Sequence, residues 1–219
     1  MIYDISPVLG PGLAVFPGDT GLTRQIVLDQ RRGDAVTLST LRATCHLGAH
    51  VDAPNHYDPD GVAIADRPLE IFVGPCRVIR VAPGPGGTVT TDMVRTALET
   101  DTAAGEAGSP GAGRVLLATG TYPDPTEFRA DFARLDPALI DWLADCGVCL
   151  VGVDTPSIDA ATSEDLPAHQ AVRRHDMNIL EGVVLDGVPA GLYELIALPL
   201  RLVGFDGSPV RAILRTFPR

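Results

Sequence analysis

The chain has 219 residues, 45% hydrophobic and 21% charged, which suits a single folded domain over 1–219 rather than a disordered or fibrous segment. A formal net charge of −11 argues against nucleic acid or an anionic membrane as partner, and no apolar run approaches the ~20 residues of a membrane helix. Four cysteines are too few for a disulfide-rich scaffold, and MIYDISPVLG lacks the basic and then apolar runs of a secretory signal, so the expected location is cytoplasmic.

Strand-like runs begin at residues 2–6, 25–28 and 36–43, followed by 77–81. A Thr-capped helix is expected over 91–100. The flexible-looking stretch GEAGSPGAG, residues 105–113, separates it from a strand at 114–119. A helix over 137–146 leads through CGVCLVGVD into a strand at 148–153. Cys146 and Cys149 form a C-x-x-C. A thioredoxin-like motif opens a helix after a strand, whereas this one is a turn entering a strand, so two buried thiols are expected. A helix over 167–176 and a strand over 182–185 follow. The tail at 193–203 is mostly apolar, but Pro199 argues against a regular helix. Strands interleaved with helices in the second half, after a first half of strand and loop, indicate an α/β fold with mixed β-sheets and helices packed around them.

One stretch stands apart. HLGAHVDAPNHYDPDG, beginning at His46, holds three of the five histidines. The spacing is His46-x3-His50-x-Asp52-x3-His56. On a helix, at ~100° per residue, Asp52 would lie ~240° round from His46 and His56 ~280°, so the four would split. In an extended chain all four even-numbered positions share one side, with Pro54 turning the run out of a regular ladder. Imidazole and carboxylate without thiolate make the ligand set of a catalytic Zn or Mn site. Surface histidines in a polar loop are the alternative.

Further ligands must come from elsewhere. His169 and His175 are six residues apart, ~240° round a helix, so both cannot face one site. Glu181 begins a strand, where a buried acid is costly unless liganded or paired. His169 and Glu181 are therefore the candidates, against the plain alternative of a helix-surface histidine and an exposed glutamate. A G-x-S-x-G nucleophile elbow is not found. Cys45 and His46, as strand neighbours, point to opposite faces and make a poor nucleophile–base pair.

HLGAHVDAPNH resembles the H-x-G-T-H-x-D-x-P-x-H signature of the cyclase-like, metal-dependent hydrolase family. DISPVLGPGLAVFPGDT, VDTPSID, ILEGVVLDGVPAGLYELIALPL and DGSPVRAILR extend the resemblance over nearly the whole chain, toward the bacterial arylformamidase branch. The resemblance implies a homodimer with two divalent ions per subunit, usually Zn2+ in this branch, with Mn2+ as the other candidate. It assigns His46, His50 and Asp52 to the first metal, Asp52 shared with the second, and His169 and Glu181 as the remaining ligands. It makes His56 the general acid/base and puts Phe16 near a small aromatic amide substrate. The reaction it implies is N-formyl-L-kynurenine plus water giving L-kynurenine and formate. A relative opening a cyclic amide such as isatin would share every ligand, and a metal-binding protein without catalysis would not need His56. Three positions depart from the pattern. Ala49 stands for Thr, which puts the orientation of a ligand in doubt. Phe16 stands where Trp is common, and Gln170 where a second His is often found.

Overall fold

A computed structural model describes residues 1–100 and 109–217. Its strands are β1 (Ile2–Asp4), β2 (Thr23–Leu28), β3 (Leu38–Arg42), β4 (His50–Asp52), β5 (Val73–Arg80), β6 (Thr88–Val89), β7 (Arg114–Ala118), β8 (Arg134–Leu135), β9 (Leu150–Val153), β10 (Asn178–Glu181), β11 (Gly191–Ile196), β12 (Gly207–Pro209) and β13 (Ile213–Arg215). The helices are α1 (Thr91–Thr100), α2 (Pro137–Asp145) and α3 (Pro167–Arg174).

Nine strands form one sheet in the order β1-β13-β11-β5-β7-β9-β10-β4-β12. Its centre, β5-β7-β9-β10, is parallel, and the flanking strands pair antiparallel. The α/β, mixed-sheet expectation therefore holds. The central segments RVLLA, LVGV and NILE are buried throughout, as a parallel strand covered on both faces must be.

Period-two alternation sorts their side chains. Val115, Leu117, Val151, Val153 and Ile179 point to the face where the helices contribute Val94, Leu98, Leu139, Leu143 and Val172. Leu116, Leu150 and Leu180 point to the other, joined by Val51 from β4 and Leu214 from β13. Those two strands lie toward opposite ends of the sheet, so the sheet curls over this second core. The Val184 N–H donates to the Ile5 carbonyl at 2.8 Å, joining segments from opposite ends of the sheet order.

The ends of elements follow local chemistry. Asp136 caps α2 by accepting from the Ala138 N–H at 3.0 Å, with Pro137 at the first position. Thr90 caps α1, accepting from the Met93 N–H at 3.4 Å. The strand expected at 182–185 instead occupies Asn178–Glu181 and stops at Gly182, whose φ of +65° leaves the β region. Before Pro199 the apolar tail forms β11. Cys146 and Cys149 are free and only half-buried, not fully buried as expected. Of the stretch 105–113, residues 105–108 lie outside the described residues. β2 and β3 form a separate two-stranded ribbon, every residue of which is exposed.

Candidate metal centre

The histidine segment reaches the site through three backbone conformations rather than one extended run. Only His50 and Asp52 lie on β4. His46 sits before Gly48, whose φ is +59°, and His56 ends a 3-10 turn begun by Pro54. β4 runs antiparallel between β10 and β12, which sets Glu181 opposite His50 and Gly207 opposite Asp52. His169 enters from the first turn of α3. Two glycines permit this approach. A Cβ on Gly182 would stand 2.3 Å from the Gly48 carbonyl oxygen, and one on Gly48 would stand 2.7 Å from Leu9 Cδ2.

All five candidate ligands converge. His46 Nδ1 lies 3.0 Å from Asp52 Oδ1, and His50 Nε2 lies 3.5 Å from the same oxygen. His169 Nε2 lies 3.5 Å from Asp52 Oδ2. Glu181 Oε2 is 3.3 Å from His50 Nε2, and its Oε1 is 3.8 Å from His169 Nε2. The outward nitrogen of each imidazole meets an acceptor. His50 Nδ1 is 2.9 Å from the Gly48 carbonyl, His169 Nδ1 2.7 Å from Asp159 Oδ2, and His46 Nε2 3.1 Å from Asp206 Oδ2. This pattern leaves the inward nitrogens free to coordinate.

Asp52 is 1% exposed, and neither carboxylate oxygen has a hydrogen-bond partner of proper geometry. A buried carboxylate in that condition is expensive. Imidazole nitrogens and carboxylate oxygens around it form a donor set that fits a divalent metal ion. The electrostatics agree. Burial opposes charge on His46, yet Asp52 foremost, with Cys45 and Asp206, raises its pKa to about 12. Burial likewise opposes charge on His169, but Asp159 and then Asp52 raise it to about 10. Burial also works against ionised Asp52, but His169 and His46 hold its carboxyl well below the usual range. The field at this point selects for positive charge.

His56 lies beside the cluster, its ring centroid 4.2 Å from that of His46 and its Nδ1 3.5 Å from Asp206 Oδ2. It lines a cavity of about 720 Å3 shared with His46, His50, His169 and Glu181. Phe16 is on the same cavity, its ring 5.0 Å from Phe128 in an edge arrangement. His175 is elsewhere, 2.8 Å from Asp141 Oδ1. Asp58 accepts from the Asp60 N–H and from Arg173, the behaviour of a turn residue.

The departures from the family pattern have local explanations. Ala49 is buried in the apolar core, and the Gly48 carbonyl orients the His50 ring without a hydroxyl. Gln170 donates through Nε2 to the Tyr57 carbonyl at 3.1 Å. Sequence reading missed Asp159 and Asp206 as partners of the histidines. Both fall in segments that carry the family resemblance, VDTPSID and DGSPVRAILR. Asp159 is ten residues from the ring it holds and Asp206 is 160 from His46, so no local period marks them.

The Cyclase family model matches residues 3–160. A kynurenine formamidase of Maricaulis maris (strain MCS10) is 45% identical over 217 residues, covering 99% of each chain. A second, from Paracidovorax citrulli (strain AAC00-1), is 46% identical over 216 residues, covering 99% of this chain and 97% of its own. Among solved structures, a predicted metal-dependent hydrolase from Bacillus stearothermophilus is 28% identical with a TM-score of 0.77, covering 98% of this chain and 97% of that one. Isatin hydrolase A from Ralstonia solanacearum shares the fold at 22% identity and a TM-score of 0.81, covering 98% and 91%. On the family match and the two full-length relatives, this chain belongs to the cyclase family.

Proposed function

We propose that this chain hydrolyses N-formyl-L-kynurenine to L-kynurenine and formate. The observation that carries the reading is 45% and 46% identity, over 99% of the chain, to two kynurenine formamidases. The ligands are His46, His50, Asp52, His169 and Glu181. They hold two divalent ions, zinc first and manganese as the alternative. The position of Asp52 supports two ions, since Oδ1 faces His46 and His50 while Oδ2 faces His169.

A formyl anilide is an amide, so its hydrolysis needs a nucleophilic water, a polarised carbonyl and a protonated leaving amine. When bound, divalent ions supply Lewis acidity, which lowers the pKa of water and polarises a carbonyl oxygen. His56 accepts the proton of the attacking water and delivers it to the aryl nitrogen as the C–N bond breaks. Phe16, backed by Phe128, offers the substrate ring an aromatic face.

The chain acts as one domain over 1–219, in the cytoplasm, as a homodimer. Four free thiols support a reducing compartment. No helix among the described residues is long and apolar enough to cross a membrane. The β2–β3 ribbon supports the dimer. It exposes Ile26, Val27, Leu28, Leu38 and Leu41, and an isolated two-stranded ribbon is marginal in water unless something packs on it.

The test is elemental analysis of the purified protein with assays of N-formyl-L-kynurenine and isatin on the same sample. The reading expects bound divalent metal and turnover of the formamide well above that of isatin. Preferred turnover of isatin would move the substrate to the cyclic amide, and no turnover of either on metal-loaded protein would favour a binding role.

A further inference from the structure

We propose that Asp206 is a positioning residue that ties the metal-ligating His46 to the proton-transferring His56, with the Cys45 thiol holding its carboxylate in place. The inference rests on the roles given above to those two histidines.

Three groups from one short segment converge on this carboxylate. Oδ2 lies 3.1 Å from His46 Nε2 and 3.5 Å from His56 Nδ1, and the Cys45 thiol donates to Oδ1 at 3.1 Å. The backbone fixes the same approach. The Ala53 N–H donates to the Asp206 carbonyl at 2.9 Å, just ahead of the pairing of β4 with β12. The next residue sits tight against the same ring: a Cβ on Gly207 would lie 3.0 Å from His46 Cε1 and 3.0 Å from the Val51 carbonyl oxygen.

The acceptors behind the other two ligand histidines face no second histidine: the Gly48 carbonyl serves His50, and Asp159 serves His169 and the N-terminal N–H groups of its helix. Asp206 differs because one oxygen faces both a ligand and His56. Accepting from His46 Nε2–H fixes the tautomer that turns the Nδ1 lone pair inward, toward Asp52. Standing 3.5 Å from His56 Nδ1, the same oxygen favours the proton on that nitrogen and leaves His56 Nε2 for the cavity. When His56 takes the water's proton, the positive charge forms next to the Asp206 carboxylate. The 3.5 Å contact is long, and it gains strength as that charge develops.

The experiment uses four forms of the full chain: unmodified, Asp206→Asn, His56→Ala and the double variant. Each is stripped of metal, checked by thermal melt, titrated calorimetrically with Zn2+, then assayed on N-formyl-L-kynurenine at saturating Zn2+. Asp206→Asn is expected to weaken one Zn2+ binding event about 10- to 100-fold. At saturating metal its kcat should stay down on the order of 10-fold or more with KM little moved. In the His56→Ala background the same substitution should add almost no further loss of kcat while still weakening Zn2+. Cys45→Ala should give a smaller loss of the same kind, and Cys45→Ser, which keeps a donor, a loss smaller still. Asp206→Ser serves as a second removal of the carboxylate should the Asn variant fail to fold.

Unchanged Zn2+ affinity in Asp206→Asn overturns the link to His46. Full recovery of kcat at saturating Zn2+, or independent losses in the double variant, overturns the link to His56. If the unmodified protein leaves the formamide intact, the proposed function fails instead, and the Zn2+ titrations still decide whether Asp206 acts on His46.

Discussion

Asp159→Ala removes a carboxylate at a position 1% exposed that accepts three hydrogen bonds. The Ala168 and His169 N–H groups donate at 3.0 Å each, and His169 Nδ1 lies at 2.7 Å. The first two are the unpaired donors of the first turn of α3. Leu166, at the start of that helix, supplies no side-chain cap, so Asp159 caps it from outside. Loss of a cap costs about 1 kcal/mol. A buried imidazole N–H left without an acceptor costs a further 1–3 kcal/mol or so. The sum is roughly 3 kcal/mol, and at about 2–4 °C per kcal/mol for a chain of this size the melting temperature should fall by about 6–12 °C. Asp159→Asn keeps one acceptor oxygen and should lose about half as much. Calorimetric melts of the metal-free proteins measure both. A shift below about 2 °C for Asp159→Ala, or equal shifts for the two variants, would refute the assignment of these bonds as what Asp159 contributes.

Other perturbations test different parts of the site. Chelation should abolish hydrolysis and Zn2+ should restore it, with stability rising by about 2.7 kcal/mol at a metal concentration 100 times Kd; full activity in protein verified as metal-free would end the metal reading. Phe16→Ala should lower kcat/KM about 2- to 10-fold, mostly through KM, since an aromatic contact contributes about 0.5–1.5 kcal/mol; an unchanged KM would remove Phe16 from the substrate. Asp141 gives a pH signature. His175 foremost holds its carboxyl below the ordinary value of 3.8; burial opposes this, and Arg174 adds to the lowering. A depressed folded pKa contributes stability above that ordinary value, and the contribution disappears as pH falls below it. Asp141 is 45% exposed, so the contribution is under about 1 kcal/mol and should shrink in high salt. The melting temperature of Asp141→Asn should therefore converge with that of the unmodified protein below pH 3.8, and a gap that widens on acidification would reverse the sign.

The sequence was informative where the chemistry is local. His46, His50, Asp52 and His56 lie within one segment, and their residue types announce a metal site whatever the backbone does. One extended face accounts only for His50 and Asp52. A left-handed glycine and a 3-10 turn bring in the other two. Helix ends were legible because proline and capping groups act within a turn, as at Pro137 and Pro167. The strand expected at 182–185 lies at Asn178–Glu181, since a short apolar run does not mark where pairing stops. The two-residue strands β6 and β8 are too short to carry a period at all.

By itself, then, the sequence determined the α/β class, the donor types of the metal site and the family signature, all of which reside in composition, period and spacing. Only the tertiary structure decided which acids stand behind which histidines. Asp206 reaches its ring because β12 pairs with β4, and Asp159 because the N–H groups that open α3 donate to it; both approaches join segments separated in the chain rather than following any pattern along it. Tertiary packing also turned Ala49 from a doubtful ligand support into a core methyl, leaving a backbone carbonyl to aim the His50 ring.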